Sequence, residues 1–483
     1  MDFHEYSLGR VNGLRLGLVT TISLCGFIGV ILLPFYVYLF GTGIFWEFFG
    51  ITVSFLIIWN HQSFRLMRYA KKSDSIVTLP SYFSRRFGDK SGIVRMISSV
   101  EIIALSIMII SMVLREMAII MNAITGIDKS VFSLIFMIVI SCYIGILGYK
   151  SMVKTVFIKA GFLLVVFLLI SVFIFSRQSL AVLIRNMMKT DITGSVSDYM
   201  NILYHNGRLL GPNDYVTLLS KGLLVSGMPF VLVNFFASKD SKTITKGRNA
   251  SFVFLVVFFS VSMFIGAILR GFLYPEKITR SISGFLKLIY DKLNTSGGFG
   301  KFVSYVFVIL LLIALVTLVE AIVHSVTVIF YEDIINRGSV VRVDQKHMRE
   351  TLISISMIVG IIIFFVEQNF REVKISSIVS FVTVLGCSIS PTVLLSLIWE
   401  RMNRAGCIAG LITGLVAVPL FEYVPLISIN GEKQSISNAL DMSSILPSII
   451  LSVLAIIILS LITRKPDEDI VDEFHEVRNR IVE

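Results

Sequence analysis

Charged residues are scarce in this sequence: Asp, Glu, Lys and Arg make up 16% of its 483 residues, whereas 55% are hydrophobic. Soluble domains usually carry about a quarter charged residues, so the composition excludes a chain that folds entirely in water. Cysteine is scarce too, and none of Cys25, Cys142, Cys387 and Cys407 forms a CxxC pair. All four lie within apolar runs, so the sequence predicts neither a disulfide framework nor a metal cluster.

Signatures of catalysis and of nucleic-acid binding are missing as well. The sequence has no phosphate-cradling glycine loop, no metal-ligand spacing and no convergent His/Asp/Ser set, which disfavours an integral membrane enzyme. The net charge is +11, but no basic stretch is interleaved with stacking aromatics, so no nucleic-acid partner is predicted. The basic residues concentrate instead in loops such as 61–93, which is the positive-inside pattern of membrane proteins.

Long apolar runs are what the sequence has in abundance. Runs of about 18–25 residues match the length that crosses roughly 30 Å of hydrocarbon. We therefore predict an all-α integral membrane protein of about twelve transmembrane helices, with the lipid bilayer as a partner. The predicted spans 1 to 12 are residues 15–41, 44–60, 94–122, 131–147, 155–176, 214–238, 251–273, 303–332, 351–367, 375–399, 406–424 and 442–463.

Two of these spans are interrupted. Span 1 contains Cys25-Gly26-Phe27-Ile28-Gly29 and then Pro34, and span 6 contains Ser226-Gly227-Met228-Pro229. Broken helices at matching positions, five spans apart, indicate an inverted repeat with a binding site near the bilayer midplane. The alternative is that these are ordinary packing glycines and a proline kink, both common in membrane helices.

The organisation that follows has two five-helix halves. The basic loops 61–93 and 333–350, the latter with Arg337, Arg342 and Lys346, predict the cytoplasmic side, and an even span count places both termini there. Two further amphipathic helices are expected, one over Phe285–Leu293 and one in the tail around Phe474. The predicted regions are a cytoplasmic N-terminus (1–14), the first repeat (15–176), an extracellular loop (177–213), the second repeat (214–399), helices 11 and 12 (400–464) and a cytoplasmic tail (465–483).

Several short motifs occur in a distinctive order along the chain. One is the run Thr78-Leu79-Pro80-Ser81-Tyr82-Phe83-Ser84-Arg85-Arg86-Phe87-Gly88 after span 2. The other segments are Glu5–Arg10, Leu33–Pro34, Tyr38–Leu39, Gly227–Pro229, Phe235–Ala237, Glu332–Asp333, Ser390–Pro391, Trp399–Gly406 and Ala409–Gly410. Together they resemble the sodium:solute symporter family and are closest to its sodium/proline symporter branch. The matches run from about residue 5 to residue 415, and it is their joint order that makes them specific.

The resemblance implies a LeuT-type 5+5 inverted repeat plus two C-terminal helices in the plasma membrane. It implies alternating-access symport of a small organic solute, an amino acid such as proline among the candidates, by a monomer or loose homo-oligomer without an organic cofactor. A coupling sodium ion would lie between spans 1 and 8. By position, its ligands would be backbone oxygens near Ile22 and Cys25, the Ala314 carbonyl and the Thr317 hydroxyl.

The chain departs from the family pattern at this sodium site. Oxygen-bearing positions of the family fall at Leu24 and Leu318, and the family's Thr-Asp-x-x-Gln in span 5 becomes Thr155-Val156-Phe157-Ile158-Lys159. One hypothesis is that the Lys159 ammonium replaces sodium, which would make transport proton-linked or uncoupled. The alternative is that Lys159 extends to the cytoplasmic interface.

Ionisable residues inside the spans are functional candidates, because a charge at mid-bilayer is unfavourable by about 3 kcal/mol on insertion scales. Glu320 and His324 lie four residues apart in span 8 and so share a helix face. They could relay a proton (H⁺ being the alternative coupling ion to Na⁺), or form structural hydrogen bonds to neighbouring helices. For Glu101, Arg115 and Glu116 in span 3 a structural ion pair is predicted.

The predicted solute site lies between the two interruptions. Its candidate residues are Cys25, Gly26, Phe27, Gly29, Ser226, Gly227, Met228 and Phe230. They include no charged side chain, so a small, partly apolar zwitterion is expected, with its carboxylate against free backbone N–H groups. Two alternative functions remain open from the sequence: a transporter-like sensor or regulator that has lost transport, and the disfavoured membrane enzyme.

Overall fold

The structure is a computed structural model of the chain. It describes residues 3–9, 11–73, 76–189, 195–277, 279–336, 347–371, 373–429 and 432–479. Arg10, and the loop residues Arg337, Arg342 and Lys346 on which part of the predicted orientation depends, lie outside these described residues.

Helices that are long and apolar enough to span a membrane number eleven in the described part of the chain, and a bent pair brings the total to twelve. This confirms the predicted count. In chain order the spans are Gly13–Phe40, Thr42–Lys72, Ile93–Thr125, Lys129–Leu147, Lys150–Arg177, the pair Pro212–Gly227 and Pro229–Phe236, Ser241–Phe272, Gly297–Asn336, Met348–Gln368, Ile375–Ile398, Arg404–Tyr423 and Ile445–Ile462.

Three predicted boundaries are wrong because polar residues extend the helices beyond the apolar core. Span 7 begins at Ser241 rather than at 251, since Asp240 caps the helix by accepting the backbone N–H of Thr243 at 2.6 Å. Span 8 begins at Gly297 rather than 303, and span 2 continues to Lys72 rather than 60. Apolar run length measures the hydrocarbon crossing and not the helical turns that continue into water.

The two interruptions differ from each other. Span 1 stays helical throughout and only widens into a π-helical segment at Ile28–Leu32. The predicted break there is therefore a close-packing site: a Cβ added at Gly29 would overlap the Phe258 ring of span 7. Span 6 is truly broken, because a 3₁₀ segment at Lys221–Gly227 and an extended residue, Met228, precede Pro229–Phe236 with a bend of 46°.

Shorter elements complete the fold. Two antiparallel strand pairs form in loops, Tyr204–His205 with Arg208–Leu209 and Ile427–Ile429 with Glu432–Gln434. The short helices are Phe3–Ser7, Leu79–Arg86, Leu180–Met188, Val196–Tyr199, Ile282–Asn294, Ile436–Leu440 and Glu468–Asn479. The structure thus confirms the helices predicted around Phe285 and Phe474.

Helix packing brings the two interrupted spans into the interior. Span 1 lies along span 7, while the 3₁₀ segment of span 6 packs against spans 2 and 10. The tail helix Glu468–Asn479 packs back on the loop after span 2, where Phe474 lies under the Arg86 guanidinium at 4.6 Å from the ring centroid. The N-terminal helix Phe3–Ser7 meets the start of span 5 through the Tyr149 N–H, which donates to the Tyr6 carbonyl at 2.9 Å.

Candidate functional site

A central cavity of about 140 Å³ lies between spans 1, 2, 3, 6, 8 and 10. An apolar cavity of about this size holds a ring as large as benzene. Its walls are almost entirely hydrophobic. The apolar lining residues are Leu24, Phe27, Ile28, Leu32, Phe48, Ile51, Ile109, Val113, Leu224, Val225, Met228, Phe230, Leu318, Ile322, Ile378, Val379 and Val382.

One ion pair interrupts this apolar lining. Glu47 of span 2 and Lys221 of span 6 line the cavity, and the Lys221 ammonium donates to the Glu47 carboxylate at 2.6 Å. Among the described residues that line the cavity they are the only charged ones, and Tyr36 is the other polar contributor. Neither residue is among the predicted site residues, although each lies inside a predicted span.

A larger cavity of about 770 Å³, which we call the vestibule, adjoins the central one. Tyr36, Lys221 and Val379 line both cavities. The vestibule is lined by the basic residues Arg270 and Arg280 as well, and by His205. Burial, and then the charge of Lys221, lower the pKa of His205 from 6.5 to about 4, so this loop histidine is neutral near pH 7.

The predicted solute-site residues divide into two groups. Phe27, Met228 and Phe230 line the central cavity. The other five pack helices together: Gly26 faces Thr317 of span 8, Gly29 faces Phe258, Cys25 is buried, Ser226 hydrogen-bonds the Ser390 hydroxyl, and Gly227 lies against the Ser390 backbone.

A third, very small cavity marks the place where the family resemblance puts sodium. Its volume is about 10 Å³, close to the smallest space that holds one water molecule. Ile22 of span 1, Thr317 and Glu320 of span 8 and Lys159 of span 5 all line it. The Lys159 ammonium forms an ion pair with the Glu320 carboxylate, and the two side chains are 11% and 3% exposed. Lys159 is therefore directed into the bundle and not toward an interface.

Two of the groups expected to bind sodium form hydrogen bonds within their own helices. The Thr317 hydroxyl donates to the Ala314 carbonyl at 2.8 Å, and the Cys25 carbonyl accepts the backbone N–H of Ile28. Among described groups, the second carboxylate oxygen of Glu320 has no hydrogen-bond partner. The position thus holds a paired ammonium and one spare carboxylate oxygen, a donor set that suits a proton or an ammonium better than a hard cation with several oxygen ligands.

His324 bonds to a different part of the chain from Glu320. Its Nε2 lies 3.0 Å from the Ser7 carbonyl, and its ring sits between the rings of Tyr6 and Tyr149, each with its centroid 5.8 Å away. The structure therefore gives His324 the structural contact considered in the sequence analysis, tying the N-terminal helix to span 8.

The charged residues of span 3 lie at packed positions. The Arg115 guanidinium pairs with Glu367 of span 9 at 3.1 Å. Glu101 and Glu116 are both buried. None of the three lines the central cavity, which agrees with the structural role predicted for Arg115.

Comparison with known proteins decides the family. The profile described as "Sodium:solute symporter family" matches residues 8–414. The chain belongs to the sodium:solute symporter family. The "Sodium/proline symporter" of Haemophilus influenzae is 24% identical, over 98% of this chain and 92% of that protein. The "High-affinity proline transporter PutP" of Bacillus subtilis is 22% identical, over 91% and 89%.

Solved structures agree on the fold of this symporter-family chain. A Na⁺-coupled sialic acid symporter in a substrate-bound outward-open state superposes with a TM-score of 0.75 at 15% identity, covering 96% of this chain and 93% of the other. MhsT in complex with L-phenylalanine gives 0.55 at 15% identity, covering 94% and 98%. The fold is thus the LeuT-type inverted repeat, and the chain is a multi-pass membrane protein whose relatives are transporters of small solutes rather than enzymes.

Proposed function

We propose that this chain carries a small amino acid, proline among the candidates, across the plasma membrane by alternating access, and that the Lys159 ammonium takes the place of the coupling sodium ion. Proline enters the proposal from the two proline-transporting relatives. The central cavity supports it independently, because its volume suits a small apolar side chain or ring.

The ion pair between Lys159 and Glu320 supports the proposal that an ammonium takes the place of sodium. An ammonium is a compact cation with three donors, so it can occupy the space and supply the charge that a bound sodium would. Here it already neutralises the carboxylate on span 8. Sodium would have to displace this ammonium from the small cavity that Lys159, Thr317 and Glu320 line together. Transport by this chain is therefore independent of sodium, and reversible proton loss at the buried pair gives a route for proton coupling.

Uptake into proteoliposomes under separately imposed gradients tests this proposal. Labelled L-proline, L-valine and L-leucine are offered with an inward sodium gradient at equal pH, then with an inward proton gradient without sodium. We expect the proton gradient, and not the sodium gradient, to drive accumulation. Uptake that neither gradient stimulates would indicate uncoupled transport. Strict sodium dependence would refute the role given to Lys159.

The variant Lys159→Gln restores the neutral amide that the family carries at this position. We expect it to flatten the pH dependence of uptake, since the exchangeable ammonium is gone. Lys287→Gln, at an exposed ion pair with Asp291 that does not line any of the three cavities, is the matched control and should leave the pH profile unchanged. A protein that binds the solute but transports nothing under any gradient would favour the sensor alternative.

A further inference from the structure

We infer that Glu47 and Lys221 form the subsite that binds the two charged groups of the solute, with the carboxylate on Lys221 and the ammonium on Glu47. This inference rests on the proposed function and specifies which side chains recognise the substrate. From the sequence, the solute carboxylate is expected against backbone N–H groups at the interruptions. The structure offers instead two side chains of opposite charge at the rim of an apolar cavity.

The position of the pair is the first argument. Lys221 lies at the start of the 3₁₀ segment that breaks span 6, and it lines both the vestibule and the central cavity. Its ammonium also lies over the Tyr36 ring, 5.9 Å from the centroid. A solute that passes from the vestibule into the central cavity therefore passes this ion pair. Lys221 and Glu47 can discriminate between solutes of different charge at that point.

The charge balance is the second argument, and it selects a zwitterion. The pair is neutral as a whole, so inserting a neutral zwitterion replaces one ion pair by two without adding net charge to an apolar site. A monocarboxylate anion would place its carboxylate beside that of Glu47, and a cationic amine would place its charge beside Lys221. The α-ammonium and α-carboxylate of an amino acid are joined through a single carbon, so they can meet both partners once Glu47 and Lys221, now in direct contact at 2.6 Å, separate to admit them.

The other residues that line the central cavity determine which solute side chains it accepts. Beyond the pair, the walls of the central cavity are hydrocarbon and aromatic, with Phe27, Met228 and Phe230 among them. A polar or charged side chain on the solute would lose its hydration there without finding a partner. The subsite and the cavity together therefore fit an amino or imino acid whose side chain is small and apolar.

Competition by derivatives of the transported amino acid tests the subsite. For the one of L-proline, L-valine or L-leucine that the unmodified protein takes up, its methyl ester lacks the carboxylate charge and its N-acetyl derivative lacks the ammonium charge. We expect each derivative to inhibit uptake at least about 10-fold more weakly than the parent amino acid, the effect of one lost charge-assisted hydrogen bond.

The double variant Glu47→Gln/Lys221→Met removes both charges together, so neither is left buried without its partner. We expect KM to rise by about 10- to 100-fold, with a smaller change in kcat, and the discrimination against both derivatives to collapse. A purely structural ion pair would leave that discrimination intact. Lys287→Met removes a lysine from an exposed i,i+4 pair with Asp291 and is the matched control, and melting in detergent checks that each variant is folded.

The outcomes separate the subsite from the function. If the unmodified protein transports an amino acid and the double variant keeps its KM and its discrimination, the subsite is wrong and the carrier function stands. If none of the three amino acids is transported, the proposed amino-acid carriage fails, and the subsite fails with it.

Discussion

Removing Lys159 alone should destabilise the protein far more than removing it together with Glu320. In Lys159→Met the Glu320 carboxylate, 3% exposed, stays in the bundle without its counter-charge. Breaking a buried ion pair from one side costs roughly 3–5 kcal/mol. A single charge at mid-bilayer is unfavourable by about 3 kcal/mol on insertion scales, so the two estimates agree.

The double variant Lys159→Met/Glu320→Leu should recover most of this loss. Replacing a buried ion pair by apolar side chains of similar volume is often neutral or stabilising, by about 1–4 kcal/mol. A double-mutant cycle built from the unmodified protein, Lys159→Met, Glu320→Leu and the double variant should therefore give a coupling energy of about 3 kcal/mol or more between the two positions. A coupling of this size requires that the two groups be desolvated and in contact, as they are here.

Denaturant titration of each purified protein in detergent micelles measures the free energy of unfolding for all four members of this cycle. Lys287→Met serves as the control, because its pair with Asp291 is 45% and 48% exposed and should contribute only about 0.3–0.5 kcal/mol. If Lys159→Met costs no more than Lys287→Met, or if the double variant is as unstable as the sum of the singles, the buried contact with Glu320 is refuted.

Three further outcomes follow from the structure. Gly227→Ala should lower uptake at least about tenfold without loss of expression, because its Cβ would lie 2.6 Å from a backbone nitrogen of span 10, whereas Gly161→Ala, with nothing within 4 Å, should transport normally. The pKa of His205 is lowered to about 4 in the folded protein, so the neutral imidazole contributes fully to the free energy of unfolding above pH 6.5 and this contribution is lost as the pH falls toward 4. His205→Gln should therefore reduce the drop in unfolding midpoint between pH 7 and pH 5. Phe474→Ala should release the tail helix, which packs on Arg86, and limited proteolysis should then cut the tail faster while Tyr423→Ala, at an exposed ring, leaves the rate unchanged.

The number and order of the spans could be predicted from the sequence for a physical reason. In hydrocarbon every backbone group must be satisfied within its own segment, so each crossing leaves a continuous apolar run of predictable length. The helix ends were less predictable, as the polar turns that follow Ser241 show. The family could also be predicted, because short segments such as Thr78–Gly88 resemble its motifs in chain order, although overall identity to the Haemophilus influenzae relative is only 24%.

The site was predictable only in part. Intramembrane charge marked Glu320 as a candidate and the departure from the family pattern marked Lys159, but nothing in the sequence joins two residues 161 positions apart. The same holds for Glu47 and Lys221, which are 174 positions apart and were passed over. Which charges pair depends on the rotation and depth of each helix in the bundle, and those are set by packing between helices.

The sequence by itself determined a twelve-span membrane protein of a symporter family, with candidate interruptions in spans 1 and 6. Only the tertiary structure decided what each interruption does. Glycines that open a helix and glycines that admit a neighbour look identical in a sequence, because both simply lack a Cβ. The fold shows the difference: Gly29 makes room for the Phe258 ring in a helix that stays continuous, while Gly227 lies against the Ser390 backbone and also precedes Met228 at a true bend. The 3₁₀ segment that leads to this bend begins at Lys221, whose ammonium pairs with Glu47 where both residues line the central cavity.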